Sequence, residues 1–302
     1  CKIMSKWQLI DELQKALQAK QFASLTKNDG KMTKHVTTKK GVDANDAGRK
    51  NRSLCTLLIT EGDSGKGYSE KFIKYAPGGR NRYGVLPLKG KSLNVMNSSL
   101  IKIAKNEEIN ELMKMLGLKY CKPDEKDNYY LNEKNFKELR YGNLLIMADS
   151  DVDGKHIIGL ILNFFYWFFP SLLVRNYVSY YQTPILRVKK GKSTIKFYHQ
   201  LEYDAWKASN KLFSKWSHNY YKGLGTSTPP EIKDDYETQR NVCCIYDENT
   251  SKSMHIAFDK EFANLRKIWI KKGIPEDTIY GTDKFQELPI SWFIDFELKS
   301  FS

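Results

Sequence analysis

Two short apolar runs in this 302-residue chain each end abruptly in acids, and that pairing constrains the fold more than any other feature. Leu54 to Thr60 stops at Glu61-Gly62-Asp63-Ser64, and Leu144 to Ala148 stops at Asp149-Ser150-Asp151-Val152-Asp153. Apolar runs this short, closed by a turn and a helix start, read as buried strands. Tyr83 to Leu88 reads as another strand, and Asn106 to Leu116 as a helix carrying Ile109, Leu112, Met113 and Leu116 at helical spacing. Strand, helix, strand, helix in this order predicts an α/β fold, a parallel sheet with crossover helices. Ligands of such sheets bind outside the carboxyl ends of the strands, so Glu61 is expected to converge with Asp149, Asp151 and Asp153.

Four carboxylates brought together repel one another and raise each other's pKa unless a cation is present. The chain as a whole is basic, with 49 Lys and Arg against 35 Asp and Glu and a net charge of +14. That excess favours a polyanion as partner, because each cation set against a phosphate releases a counterion. An acidic site in a basic chain therefore points to metal-bridged phosphate chemistry. Mg²⁺ suits it, since it uses few carboxylates, keeps waters and takes phosphate oxygens. Solvated turn acids would explain one Asp-Gly turn, but they explain poorly two strand ends carrying four acids.

Rival motifs fit less well. Asp149 to Gly154 resembles the first half of a calcium loop, yet its twelfth position is Leu160 rather than Glu, and a strand precedes it. Gly84 to Ser92 ends in the Gly-Lys-Ser of a nucleotide-binding loop, but Val85 stands where a glycine is needed and Pro87 stiffens the loop. Gly62 to Gly67 has the wrong glycine spacing. His156 lies beside the acids, but Mg²⁺ prefers oxygen, so a histidine packing at a helix start is the better reading.

Elsewhere, residues 5–24 read as a helix, residues 25–53 as a polar, basic linker or DNA-hugging arm, and residues 119–138 as loop. Beyond residue 176 come strands at Val178 to Lys189 and Ile195 to Tyr198, and helices near 201–209 and 229–240. Ile157 to Val174 is apolar enough to suggest a membrane span, but Asn163 and Pro170 interrupt it and the acids precede it. A helix buried on all sides explains it better. Five scattered cysteines form neither a disulfide framework nor a zinc pattern, which fits a reduced, intracellular setting. The start Cys1-Lys2-Ile3 reads as the middle of a longer polypeptide.

Five ordered segments then carry a resemblance: DANDAG (43–48), EGDSGKG (61–67), PLKGKSLNV (87–95), MADSDVDGKHI (147–157) and YYKGLGTST (220–228). Together they resemble the type IIA DNA topoisomerases around their TOPRIM domain, and LPISWFIDFELKSFS (288–302) resembles the entry to the DNA gate. EGDSG departs from the usual EGDSA. The acidic motif is closer to the bacterial form and YYKGLGTST to the eukaryotic one, a mixture that points to a divergent eukaryote or a large DNA virus.

The resemblance implies a TOPRIM (Rossmann-like) parallel sheet flanked by helices over 54–180. An N-terminal helix and basic linker over 1–53 would precede it, and an α+β extension over 181–302 would follow. It implies that Glu61, Asp149 and Asp151 are catalytic metal ligands. Glu61 and Asp149 would hold Mg²⁺ at the scissile phosphate, with Mn²⁺ or Ca²⁺ able to substitute. Asp149 and Asp151 would hold a second ion, Asp153 would support them, and Glu61 would also pass a proton to the leaving ribose oxygen. Lys91, Asn94, Tyr221 and Lys222 match positions that touch DNA, whereas Gly223 and Gly225 are expected to shape a turn.

The implied enzyme is an ATP-hydrolysing type II topoisomerase, a homodimer acting on double-stranded DNA, with no membrane. Its nucleophilic tyrosine and ATP site would lie outside this chain, which alone would be inactive. The setting implied is the nucleus, or a host replication compartment if viral. Primases and OLD-type nucleases share the strand-end acids but leave PLKGK and YKGLG unexplained. A non-catalytic basic DNA-binding module holding structural calcium is the third reading.

Overall fold

The computed structural model describes residues 2–221, 223–273 and 285–299, with side chains described from residue 10 and not at residue 285. Helix α1 (Lys2–Thr26) leads in, with Leu25 fully buried while Ile10, Leu13 and Leu17 face solvent. Strand β1 (Thr56–Glu61), helix α2 (Gly62–Ile73), strand β2 (Tyr83–Leu88) and helix α3 (Glu107–Leu116) follow. Then come β3 (Asn143–Met147), α4 (Val152–Phe168) and β4 (Val178–Gln182). The later part supplies β5 (Leu186–Lys190), β6 (Ser193–Phe197), β7 (Ser217–Tyr220), α5 (Pro229–Glu237), β8 (Arg240–Ile245) and β9 (Phe285–Pro289).

The sequence-predicted parallel sheet is present. Its order is β2-β1-β3-β4-β8-β9, parallel from β2 to β4, with β8 antiparallel to β4 and β9 parallel to β8. A smaller antiparallel sheet, β6-β5-β7, stands beside it. Strands β8 and β9, from the segment after residue 180, complete the larger sheet.

The apolar stretch that imitates a membrane span is the largely buried crossover helix α4 followed, after a break at Phe169, by a short helix Pro170–Val174. Ile157, Ile158, Leu160, Ile161, Leu162, Phe164 and Phe165 are all buried on α4, each worth about 1.5–3 kcal/mol against exposure. Among the described residues no helix is long and apolar enough to cross a membrane.

Where the charge of residues 25–53 suggests a linker or DNA-hugging arm, the structure shows a segment partly docked on the sheet rather than a free linker. Val42 bridges Val85 at the sheet, and Ala44 and Ala47 are buried. Asp43 takes hydrogen bonds from the fully buried Arg140 and from the Tyr141 hydroxyl. Charge composition misleads here because one buried Asp–Arg pair and a few small residues anchor the segment, and none of them stands out in a run of lysines.

Candidate metal centre

Strands β1 and β3 are parallel neighbours in the register Thr56↔Asn143 to Thr60↔Met147, so Glu61 and Asp149 leave adjacent strand tips. Glu61 also pairs with Leu88, which places the Lys89–Ser92 turn beside the same end of the sheet. Helices α2 and α4 both begin at this edge. Their N-terminal N–H groups add positive potential that suits anionic ligands.

Glu61 precedes α2 without capping it. Its Oε2 is buried and has no hydrogen-bond partner, while its carboxylate receives the backbone N–H of Asp149. Burial pushes the Glu61 carboxyl above the usual range, and the charges of Asp149, Asp151 and Asp153 push it further. Burial raises Asp149 as well, with the charge of Asp151 adding to it and a hydrogen bond from the Leu224 N–H working against it. That bond is 2.8 Å long, from Leu224 N to Asp149 Oδ1.

The other two aspartates are committed locally. Asp151 caps α4, accepting from Gly154 N at 2.9 Å. Gly154 must be glycine, because a Cβ there would sit 2.0 Å from the Asp149 carbonyl oxygen. Asp153 is exposed and pairs with Lys91 at 2.8 Å. Among the described residues no three His, Cys, Asp or Glu side chains close into a ligand set. Glu61 and Asp149 are the core of the acidic group, with Asp151 and Asp153 acting on Glu61 through charge.

A two-carboxylate core fits a hard divalent cation of the Mg²⁺ kind, which takes one or two protein carboxylates and completes its shell with water and phosphate. The orphaned Glu61 oxygen is the sign of that fit, since a buried polar atom without a partner is costly. His156 is half-buried, and burial and the charge of Lys91 lower its pKa. It lines a cavity of about 380 Å³ with Asn94, Asn97, Arg266 and Trp269.

The residues matched to DNA contact divide. Lys91 is exposed at the site's rim. Asn94 turns inward, donating to Phe258 O at 2.8 Å and accepting from Asn163 at 2.9 Å and from Met96 N at 3.2 Å. Tyr221 donates its hydroxyl to Glu231 at 2.6 Å. Lys222 lies outside the described residues.

Gly223 does more than shape a turn. Its φ of 171° is ordinary extended backbone, but a Cβ there would lie 2.3 Å from Asp149 Oδ2. Gly225 lies less tightly against Ser64 of α2, where an added Cβ would come 3.1 Å from the Ser64 Cβ. The motif glycines thus let the loop press onto both acid-bearing tips. Residue identities show only that glycine is permitted there, not which neighbour requires it.

Comparison with known proteins places these elements in a family. Residues 56–185 match the Toprim domain and residues 181–302 the C-terminal associated domain of TOPRIM. The chain is 38% identical to a DNA topoisomerase 2 of Caenorhabditis elegans, over 97% of this chain and 20% of that protein. It is 40% identical to the DNA topoisomerase 2-alpha of Gallus gallus, over 86% of this chain and 17% of that protein. Among solved structures, the topoisomerase II DNA-binding, cleavage and re-ligation domain of Plasmodium falciparum superposes with a TM-score of 0.77 at 36% identity. That match covers 88% of this chain and 35% of the other. The chain therefore spans about a fifth of the length of the curated relatives it matches.

Proposed function

Since this chain belongs to the type II DNA topoisomerase family as a Toprim domain with its C-terminal associated domain, we propose that it is the metal-holding part of such an enzyme, serving transient double-strand DNA cleavage and religation. The observation that carries the proposal is the pair Glu61 and Asp149 on adjacent strand tips, with raised pKa values and one buried Glu61 oxygen left without a partner.

In this reading Glu61 and Asp149 hold a divalent cation, Mg²⁺ or in its place Mn²⁺ or Ca²⁺, and Asp149 with Asp151 holds a second. The bound cation supplies positive charge against the phosphate whose ester bond is exchanged. The nucleophilic tyrosine comes from outside this chain, as does the ATP site. Glu61 would also pass a proton to the leaving ribose oxygen and take it back on religation, carrying that proton only when it is not a metal ligand. Lys91 at the rim meets DNA phosphate, while Asp153 holds that lysine towards the acids. Asn94, Tyr221 and Lys222 complete the DNA contacts, Asn94 and Tyr221 through the backbone they fix. The whole enzyme would be an ATP-dependent homodimer acting on duplex DNA, in the nucleus or in a viral replication compartment.

Titrating Mn²⁺ into the chain, with free Mn²⁺ read by electron paramagnetic resonance, tests the centre of this proposal. Binding that disappears in Asp149→Asn supports it. Equal binding by the native chain and the variant, or none by either, ends it.

A further inference from the structure

Besides Arg140, which docks Asp43, two buried charged side chains among the described residues lie outside the sequence motifs. Arg187 on β5 and Asp235 on α5 are 1% and 2% exposed. Asp235 accepts from Arg187 Nη2 at 2.5 and 2.6 Å, from Lys196 Nζ at 3.0 Å and from the Tyr68 hydroxyl at 3.1 Å. Tyr68 lies on α2, the helix that starts directly after Glu61. Arg187 lies against the Tyr221 ring, 4.9 Å from its centroid, and Tyr221 is further fixed by Ile185 O at 3.1 Å and by Glu231. Three residues beyond Tyr221, Leu224 donates to Asp149 and buries its side chain in a cluster with Tyr68, Met147 and Ile232.

One carboxylate thus joins the helix behind Glu61 to the arginine behind the loop on Asp149. A buried ion pair is weak evidence for stability, because desolvation offsets most of its attraction. What it fixes well is geometry, since the guanidinium can face a carboxylate and a ring at once.

We infer that Arg187 and Asp235 are positioning residues for the metal site: they hold the loop bearing Gly223 and Leu224 against Asp149 and keep it in register with α2. The inference rests on the reading of Glu61 and Asp149 as metal-holding residues, for which the loop acts as outer support. Partners of this kind typically govern 10–100-fold in metal affinity.

The test compares Arg187→Lys and Tyr221→Leu with Glu202→Gln. The last breaks a part-buried pair with Arg240, 2.9 Å apart, in which the loop has no share. Mn²⁺ affinity, melting temperature and hydrogen exchange at the Leu224 amide are measured on each. Arg187→Lys is expected to bind Mn²⁺ about tenfold more weakly and to exchange the Leu224 amide faster, with Tyr221→Leu following it should Arg187→Lys fail to fold. Glu202→Gln should lower the melting temperature without either effect. Native Mn²⁺ affinity and native Leu224 exchange in both loop-side variants would overturn the inference, leaving the pair a purely structural one. If the native chain binds no Mn²⁺, the metal reading falls by itself, and Leu224 exchange alone decides whether the clamp exists.

Discussion

The backbone N–H of Leu224 donates to Asp149 Oδ1 at 2.8 Å, joining the loop after β7 to the tip of β3 across 75 residues of sequence. Gly223 permits the approach, because the Cβ of any other residue there would run into the Asp149 carboxylate.

Gly223→Ala should therefore damage the site more than the fold. The added Cβ falls 2.3 Å from Asp149 Oδ2, so either the loop or the carboxylate must move. Mn²⁺ affinity should drop about tenfold or more, while circular dichroism stays native. A calorimetric titration of the variant checks this, and unchanged affinity would show that the loop does not govern Asp149.

Glu61→Gln should stabilise the metal-free chain. The Glu61 carboxyl titrates above its ordinary 4.5 in the folded state, so folded protein holds that proton more tightly than unfolded protein. Stability is then lost as pH rises from 4.5 through the raised value. Removing the charge should recover about 0.5–2 kcal/mol, seen as a higher melting temperature in EDTA at pH 7 and no gain well below pH 4.5.

Metal binding should carry the opposite pH dependence. Both Glu61 and Asp149 must be deprotonated to hold a cation, and both have raised pKa values. Mn²⁺ affinity should fall with pH before ordinary carboxylates titrate, with protons released on binding. Titrations in buffers of different ionisation enthalpy measure that release, which would be absent if the acids were solvated turn residues.

Asp43→Ala should be among the most destabilising changes outside the sheet. It strands the guanidinium of Arg140, whose side chain is 0% exposed, at a cost of about 3–5 kcal/mol. Urea unfolding should show the midpoint falling with little change in slope. A loss below 1 kcal/mol would mean that the segment before β1 is not anchored as described.

Lys91→Ala should separate DNA binding from folding. The Lys91–Asp153 pair is 48% and 57% exposed, so its removal should change stability by less than about 0.5 kcal/mol. Duplex DNA should nevertheless bind more weakly at low salt, with the slope of log affinity against log salt reduced by about 1. An unchanged slope would remove Lys91 from the DNA-facing set.

The sequence by itself determined the parallel sheet, its crossover helices and the acids at its edge. Leu57, Leu58 and Ile59 of β1 and Leu144 to Met147 of β3 are almost wholly buried, and local apolar runs closed by turns carry that information without reference to distant residues. The place of Glu61 and Asp149 at the sheet edge was legible for the same reason, since Glu61 ends β1 and Asp149 follows β3 by two residues.

Tertiary structure decided everything that depends on residues far apart in the chain. The sequence could not say that β8 and β9 would finish the sheet, that Asp43 would dock the basic segment on Arg140, or that Asn94 would spend its amide on Phe258 and Asn163. Nor could it mark Arg187 and Asp235, which sit in stretches without a motif. Periodicity reports how much of a side chain will be buried, whereas the partner of a buried charge is chosen by where the chain returns.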